Sequence, residues 1–222
     1  MLKVTLNIRA LRAVLVAVST EETRYYLNGI NLEFTPDGVV MAATDGHRMI
    51  VLRQPYGEHA ATAAHASVIV PRDLVAKLKV RNKVVEETDL TIADDGRLTF
   101  EHAGESFGGS RVDGTFPDYR RVVPVDLDGK PAQYNPAYLA DFAKARQELT
   151  GSKLDKDGKG SPIVRYNGGS PAVVDFAWGT DFQAIGVLMP LRTTDRTLYY
   201  TWASAPAAAW PDAAPAADAA AA

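Results

Sequence analysis

Apolar and polar positions fall into short strand-like and helix-like runs along this chain, and the runs repeat in order. Val4 and Leu6 alternate with polar neighbours; after Asn7, a residue suited to a helix N-cap, Ile8, Leu11, Leu15 and Val18 recur at helical spacing. A turn at Asp37-Gly38 then separates strand-like runs at 29–34 and 39–43, and a further strand is expected at 49–52. The order returns with a strand at 67–70, Pro71 at a helix start, Leu74, Val75 and Leu78 on one helical face, and a turn at 94–96 between strands 90–92 and 97–100. It returns again near Gln133-Tyr134, with Asn135 as N-cap, Pro136 at the first helical position, Leu139, Phe142 and Leu149 on the helix, and a turn at 167–169 between strands 163–166 and 172–176. Three copies of a strand-helix-strand-turn-strand pattern, each with a further strand, predict an α+β protein.

The turn glycines Gly38, Gly96 and Gly169 are 58 and 73 residues apart. The longer interval holds residues 151–160, a charged, glycine-rich insertion that reads as a mobile loop. Its Asp155-Lys156-Asp157-Gly158 lacks the carboxylate ladder and terminal Glu of a calcium loop. From 203 to 222, 13 of 20 residues are alanine, and Pro206, Pro211 and Pro215 interrupt any continuous helix, so a disordered tail is expected. Just before it, Leu198-Tyr199-Tyr200-Thr201-Trp202 forms an apolar cluster.

Composition narrows the function classes. The chain has 222 residues, 46% of them hydrophobic, enough for a real core. No apolar run reaches the length of a membrane span and no secretion signal opens the chain, so a soluble, cytoplasmic protein without membrane partners is expected. Zero cysteines exclude disulfides, zinc-thiolate sites and thiol catalysis. A net charge of −3 announces no nucleic acid globally, and any basic surface must come from segregated charge.

Thr44-Asp45-Gly46-His47-Arg48 is the densest polar cluster, and Asp45 with His47 would be the acid/base pair of an enzyme. Asp-Gly between two strands is turn chemistry, no Gly-x-Ser-x-Gly nucleophile turn occurs, and His47, His59, His65 and His102 lack metal-ligand spacing. Neither catalysis nor a metal or other cofactor is expected. Residues 116–124, aromatic and basic between prolines, read as a linker covering a seam, and residues 187–192 as an edge strand or, through their methionine-bearing apolar surface, a place for peptide binding.

Five islands in order, Arg24-Tyr25-Tyr26-Leu27-Asn28-Gly29, Ala43-Thr44-Asp45-Gly46-His47-Arg48-Met49, Ser67-Val68-Ile69-Val70-Pro71-Arg72, residues 112–121 and Val187-Leu188-Met189-Pro190-Leu191-Arg192, together resemble the bacterial DNA polymerase III beta subunit, the sliding clamp. The resemblance implies the DNA clamp fold, repeated β-α-β-β-β units with helices on one face of antiparallel sheets. It implies a complete clamp domain at 1–124 and a third unit or half-domain, with an extension, at 125–202, ahead of the tail at 203–222. It also implies a non-enzymatic processivity factor that encircles double-stranded DNA and binds linear peptide motifs of DNA polymerase, clamp loader and repair partners. A peptide-binding adaptor or decoy that has lost the ring is the alternative.

For the cleft, the resemblance points to Leu27, Thr44, Gly46, His47, Arg48, Met49, Pro117, Arg121, Val122, Val187, Met189, Pro190, Leu191 and Arg192. For DNA it adds Arg24, Tyr25 and Tyr26 to the cations read on or near the helices: Arg9 and Arg12, Arg72, Lys77, Lys79, Arg81 and Lys83, Lys144 and Arg146. Glu21 and Glu22 stand where the family carries more favourable polar residues, so DNA affinity is expected to be weak. Three units where the family has six require four chains for a twelve-unit ring, which favours a tetramer over a dimer sharing one composite domain. The extension through Trp202 is a candidate to cover the cleft.

Overall fold

The computed structural model describes residues 1–56, 67–80, 87–154, 157–158 and 160–192. Residues 1–191 form one compact unit; of the second, 192–222, only Arg192 is described. The first copy comprises β1 (Leu2–Asn7), α1 (Ile8–Leu15), β2 (Gly29–Thr35), β3 (Gly38–Thr44) and β4 (Arg48–Pro55). The second comprises β5 (Ser67–Pro71), α2 (Arg72–Lys77), β6 (Glu87–Ile92), β7 (Arg97–His102) and β8 (Glu105–Ser110). The third holds α3 (Pro136–Thr150), β9 (Ile163–Arg165), β10 (Ala172–Asp175) and β11 (Gln183–Leu188). Short 3-10 helices at Glu22–Leu27 and Tyr119–Val122 complete the described elements.

The helix starts follow from their caps. The Asn7 side chain accepts from the Ala10 N–H at 3.1 Å and the Asn135 side chain from the Ala137 N–H at 2.9 Å, satisfying donors that the first turn leaves without partners. Two antiparallel sheets result, ordered β1-β6-β7-β8 and β5-β2-β3-β4-β11-β10-β9. The first two copies exchange their opening strands: β1 pairs with β6 from Leu2↔Ile92 to Asn7↔Glu87, and β5 pairs with β2 from Gly29↔Pro71 to Glu33↔Ser67. At the first junction Thr5 and Lys3 hold the Asp89 carboxyl below its ordinary pKa through hydrogen bonds.

Strand alternation divides the side chains. Ile30, Leu32, Phe34, Met41, Ile50 and Leu52 point inward to a core shared with α1 and with Phe142 and Phe176, while Ala42, Met49 and Val187 belong to a second, smaller cluster with Tyr119. α1 packs against both α2 and α3. The expected α+β arrangement of helices on antiparallel sheets is present. No helix among the described residues is long and apolar enough to cross a membrane.

One local expectation is corrected. The third copy has no opening strand among the described residues: 131–135 form none, and the Gln133 carbonyl accepts from the Leu191 N–H at 2.8 Å. The second helix stops at Lys77, so Lys79 follows it; Arg81 and Lys83 lie outside the described residues, as do the tail, residues 198–202 and part of the 151–160 insertion.

Gly186 in β11 is required by close approach, since a Cβ there would collide with the Phe142 ring of α3. Gly186→Ala is expected to cost about 1–3 kcal/mol through overpacking, read as a lower urea midpoint; an unchanged midpoint would mean that α3 does not seat on β11 in this way.

Candidate peptide cleft and helix face

The cleft is built on a turn and a seam. Between β3 and β4, Asp45 accepts from the His47 and Arg48 backbone N–H groups at 2.9 and 3.0 Å, and Thr44 Oγ1 donates to the Arg48 carbonyl at 2.8 Å and accepts from the Gly46 N–H at 3.0 Å. Gly46 has φ +91, the left-handed region that the turn demands. Asp45 is therefore engaged in shaping the turn, and its role is that of a backbone cap. The seam is the β4–β11 pairing, Gln183↔Arg53 to Leu188↔Arg48, continued by the Met189 N–H donating to the His47 carbonyl at 2.9 Å.

Across this seam opens a cavity of about 290 Å³. Leu27, Met49 and Val187, each at most 3% exposed, make its apolar floor. Pro117, Tyr119 and Val122 bring in the linker as one wall, Met189 (39% exposed) stands at its mouth, and Arg24, Thr44, Gly46, His47 and Arg48 form a polar rim. The linker is held by packing and by charge: Tyr119 joins the outer cluster of Ala42, Met49 and Val187, its hydroxyl donates to Glu33 at 3.1 Å, and Arg120 binds both oxygens of Glu33 at 2.7 and 2.9 Å. Burial, reinforced by the Glu33 charge, pushes the Tyr119 phenol up to about 12.

Most expected cleft residues converge here. Arg121 does not line the cavity and pairs with Asp118 at 3.1 Å; Pro190 and Leu191 follow β11 beyond the lining, and Arg192 belongs to the second compact unit. Arg24 and Tyr26, expected as DNA contacts, line the cavity, and the Arg24 guanidinium pairs with Glu21 at 3.0 Å. Tyr138 was not anticipated: from α3 its ring stacks on His47 at 5.8 Å and lies under Arg48, whose guanidinium binds Asp141 at 2.5 Å and donates to the Val16 carbonyl at 2.9 Å. The only signal for Tyr138 was its position one turn after Asn135; its proximity to the cleft depends on the pairing of two distant strands.

The helix cations are less available than their spacing suggests. Arg9 is 6% exposed and donates to the Glu148 carbonyl, and Arg12 binds both oxygens of Glu148 at 2.7 and 3.0 Å. Arg146 donates to the Phe176 and Trp178 carbonyls and lies 4.7 Å over the Trp178 ring. Arg72 sits 3.4 Å from Asp73, and Tyr25 is exposed, edge-on to Tyr26. Lys77, Lys79 and Lys144 are exposed. Among the described residues, no group of His, Cys, Asp and Glu could hold a metal ion.

The family model for the DNA polymerase III beta subunit, central domain, matches residues 2–118. The beta sliding clamp of Caulobacter vibrioides (strain NA1000 / CB15N) is 36% identical over 124 residues, which make up 54% of this chain and 32% of that protein. That of Escherichia coli K12 is 36% identical over 121 residues, with the same shares. The match thus spans about a third of the curated relatives' length. Among solved structures, the DNA polymerase sliding clamp of Pseudomonas aeruginosa superposes with a TM-score of 0.62 at 20% identity, and the beta sliding clamp of C. crescentus with 0.59 at 24%; each alignment covers 86% of this chain and 66% of the other. At these identities the likeness establishes the fold, which is that of the sliding clamps.

Because Tyr119 is favoured in its neutral form, the stability it contributes is complete below the ordinary tyrosine value of 10.0 and is lost as the pH rises through about 12. Ultraviolet titration is expected to show a late tyrosinate step that disappears in Tyr119→Phe; persistence of that step in the variant would assign it to another tyrosine.

Proposed function

The chain belongs to the DNA polymerase III beta subunit family, and on that premise we propose that it is a shortened sliding clamp. In this reading it is a non-enzymatic, cytoplasmic processivity factor that surrounds duplex DNA in a homo-oligomeric ring and tethers a polymerase through the β4–β11 cleft. Residues 1–124 act as a complete clamp domain and 125–202 as a half-domain with a C-terminal extension. The single observation that carries the reading is the cleft itself: an aliphatic and methionine floor at Leu27, Met49 and Val187 beneath a rim of Arg24, His47 and Arg48 suits an apolar anchor residue of a linear peptide with polar or acidic flanks.

The exposed Lys77, Lys79 and Lys144 suit loose, sequence-blind attraction to phosphates, which permits sliding. With three units to a chain, a tetramer closes the twelve-unit ring. The engagement of Arg9, Arg12 and Arg146 within the fold supports a second reading, a peptide-binding adaptor that holds no DNA.

Met49→Glu places a charge on the cavity floor and is expected to weaken binding of a labelled polymerase tail peptide at least about tenfold, the equivalent of ~1.4 kcal/mol, by fluorescence anisotropy. Wild-type protein, loaded on nicked circular DNA, is expected to stay bound until the circle is cut. Peptide binding without such retention would select the adaptor, and absence of peptide binding by the wild type would sink both readings.

A further inference from the structure

The first two copies complete one another by exchange: the strand preceding α1 caps the edge of β6, and the strand preceding α2 caps the edge of β2. The third copy has both halves of this device and no complement. β9 occupies the place of β2 and β6 yet is, among the described residues, the outermost strand of its sheet. Residues 131–135 stand before α3 as β1 and β5 stand before their helices, yet they form no strand. Along β9 this edge is open, and exposed apolar side chains flank it: Ile163 at 48%, Tyr166 at 43% with its ring stacked on Tyr134 of the same chain, and Leu127 at 39% on the segment whose Gly129 N–H donates to the Tyr166 carbonyl just past the strand. An unpaired strand edge carrying apolar side chains is a template for another chain.

We propose that two copies of this chain associate through their third copies by the same exchange, residues 131–135 of each pairing with β9 of the other. The occupant is a second copy because the contact then satisfies both incomplete halves at once, about a twofold axis that closes the interface. The register follows from the two internal precedents, in which the helix N-cap residue, Asn7 or Pro71, faces the first residue of the receiving strand, Glu87 or Gly29. Asn135 of one chain thus faces Ile163 of the other, and Gln133 faces Arg165. The functional meaning of this contact rests on the clamp reading, which needs an interface at the half-domain; its geometry does not.

The experiment is the native mass of the full chain by light scattering across a concentration series, with the polymerase-tail peptide titrated in parallel. The wild type is expected at an even multiple of the chain mass. Ile163→Glu with Tyr166→Glu, both at exposed positions away from the cleft, is expected to halve that mass while peptide affinity stays within about twofold, a difference of ~0.4 kcal/mol. Since the chain has no cysteine, Gln133→Cys with Arg165→Cys is expected to give an oxidised dimer on a non-reducing gel. A monomer at every concentration, an unchanged oligomer in the glutamate variant, or no cross-link in the cysteine pair would overturn the exchange. Loss of peptide binding with the mass as expected would instead condemn the clamp reading and leave the interface standing.

Discussion

Six residue pairs join β4 to β11, and the cleft exists because of them. Residues more than a hundred positions apart in sequence become ladder neighbours, so Met49 and Val187 stand opposite each other in the outer cluster. On the inner side the same pairing seats Phe142 in the space left by Gly186 and sets α3 against α1. One ladder thus fixes both the floor of the cleft and the order of the helix layer. Such non-local pairing is costly in chain entropy, and here it is offset by apolar burial on both faces of the sheet.

Arg48 connects the two layers. Its backbone N–H binds Asp45 in the turn, its guanidinium reaches Asp141 on α3 and the carbonyl of Val16 just beyond α1, and the Tyr138 ring lies beneath it. With its side chain only 12% exposed, the charge is held by partners of complementary chemistry from three segments of chain. The rim of the cleft is therefore rigidly related to the helices. On the opposite side of the cavity the linker is fixed by an equally specific contact, Tyr119 and Arg120 on Glu33.

The helix face shows how spacing and availability diverge. Arg9 and Arg12 lie one turn apart, as a phosphate-facing pair would, but α3 brings Glu148 against them and their donors are used inside the protein. The remaining exposed lysines give a weaker field, in keeping with the net charge of −3.

Local order was legible because it is written in nearest neighbours. Asn7 and Asn135 announce their helices, Gly38 and Gly96 the hairpins, and the alternation of Ile30, Leu32 and Phe34 the inward face of β2, since each depends only on backbone geometry and burial period. The islands that suggested the clamp family carried most of the cleft lining as well. What the sequence by itself left open was whatever depends on strands and helices meeting from afar. Gln133 and Tyr134 resemble an opening strand, but no described strand of the chain pairs with them; Gln133 meets Leu191 and the Tyr134 ring stacks on Tyr166. Tyr138 looks like any helical aromatic until β11 docks on β4 and sets it against His47. Glu148 carries no mark of its hold on Arg12 until α3 packs on α1. Sequence determined the elements and their faces, because those follow from short-range sterics and hydrophobic period; tertiary structure decided which charges are consumed and which side chains share a cavity, because those follow from pairings whose partners lie far apart along the chain.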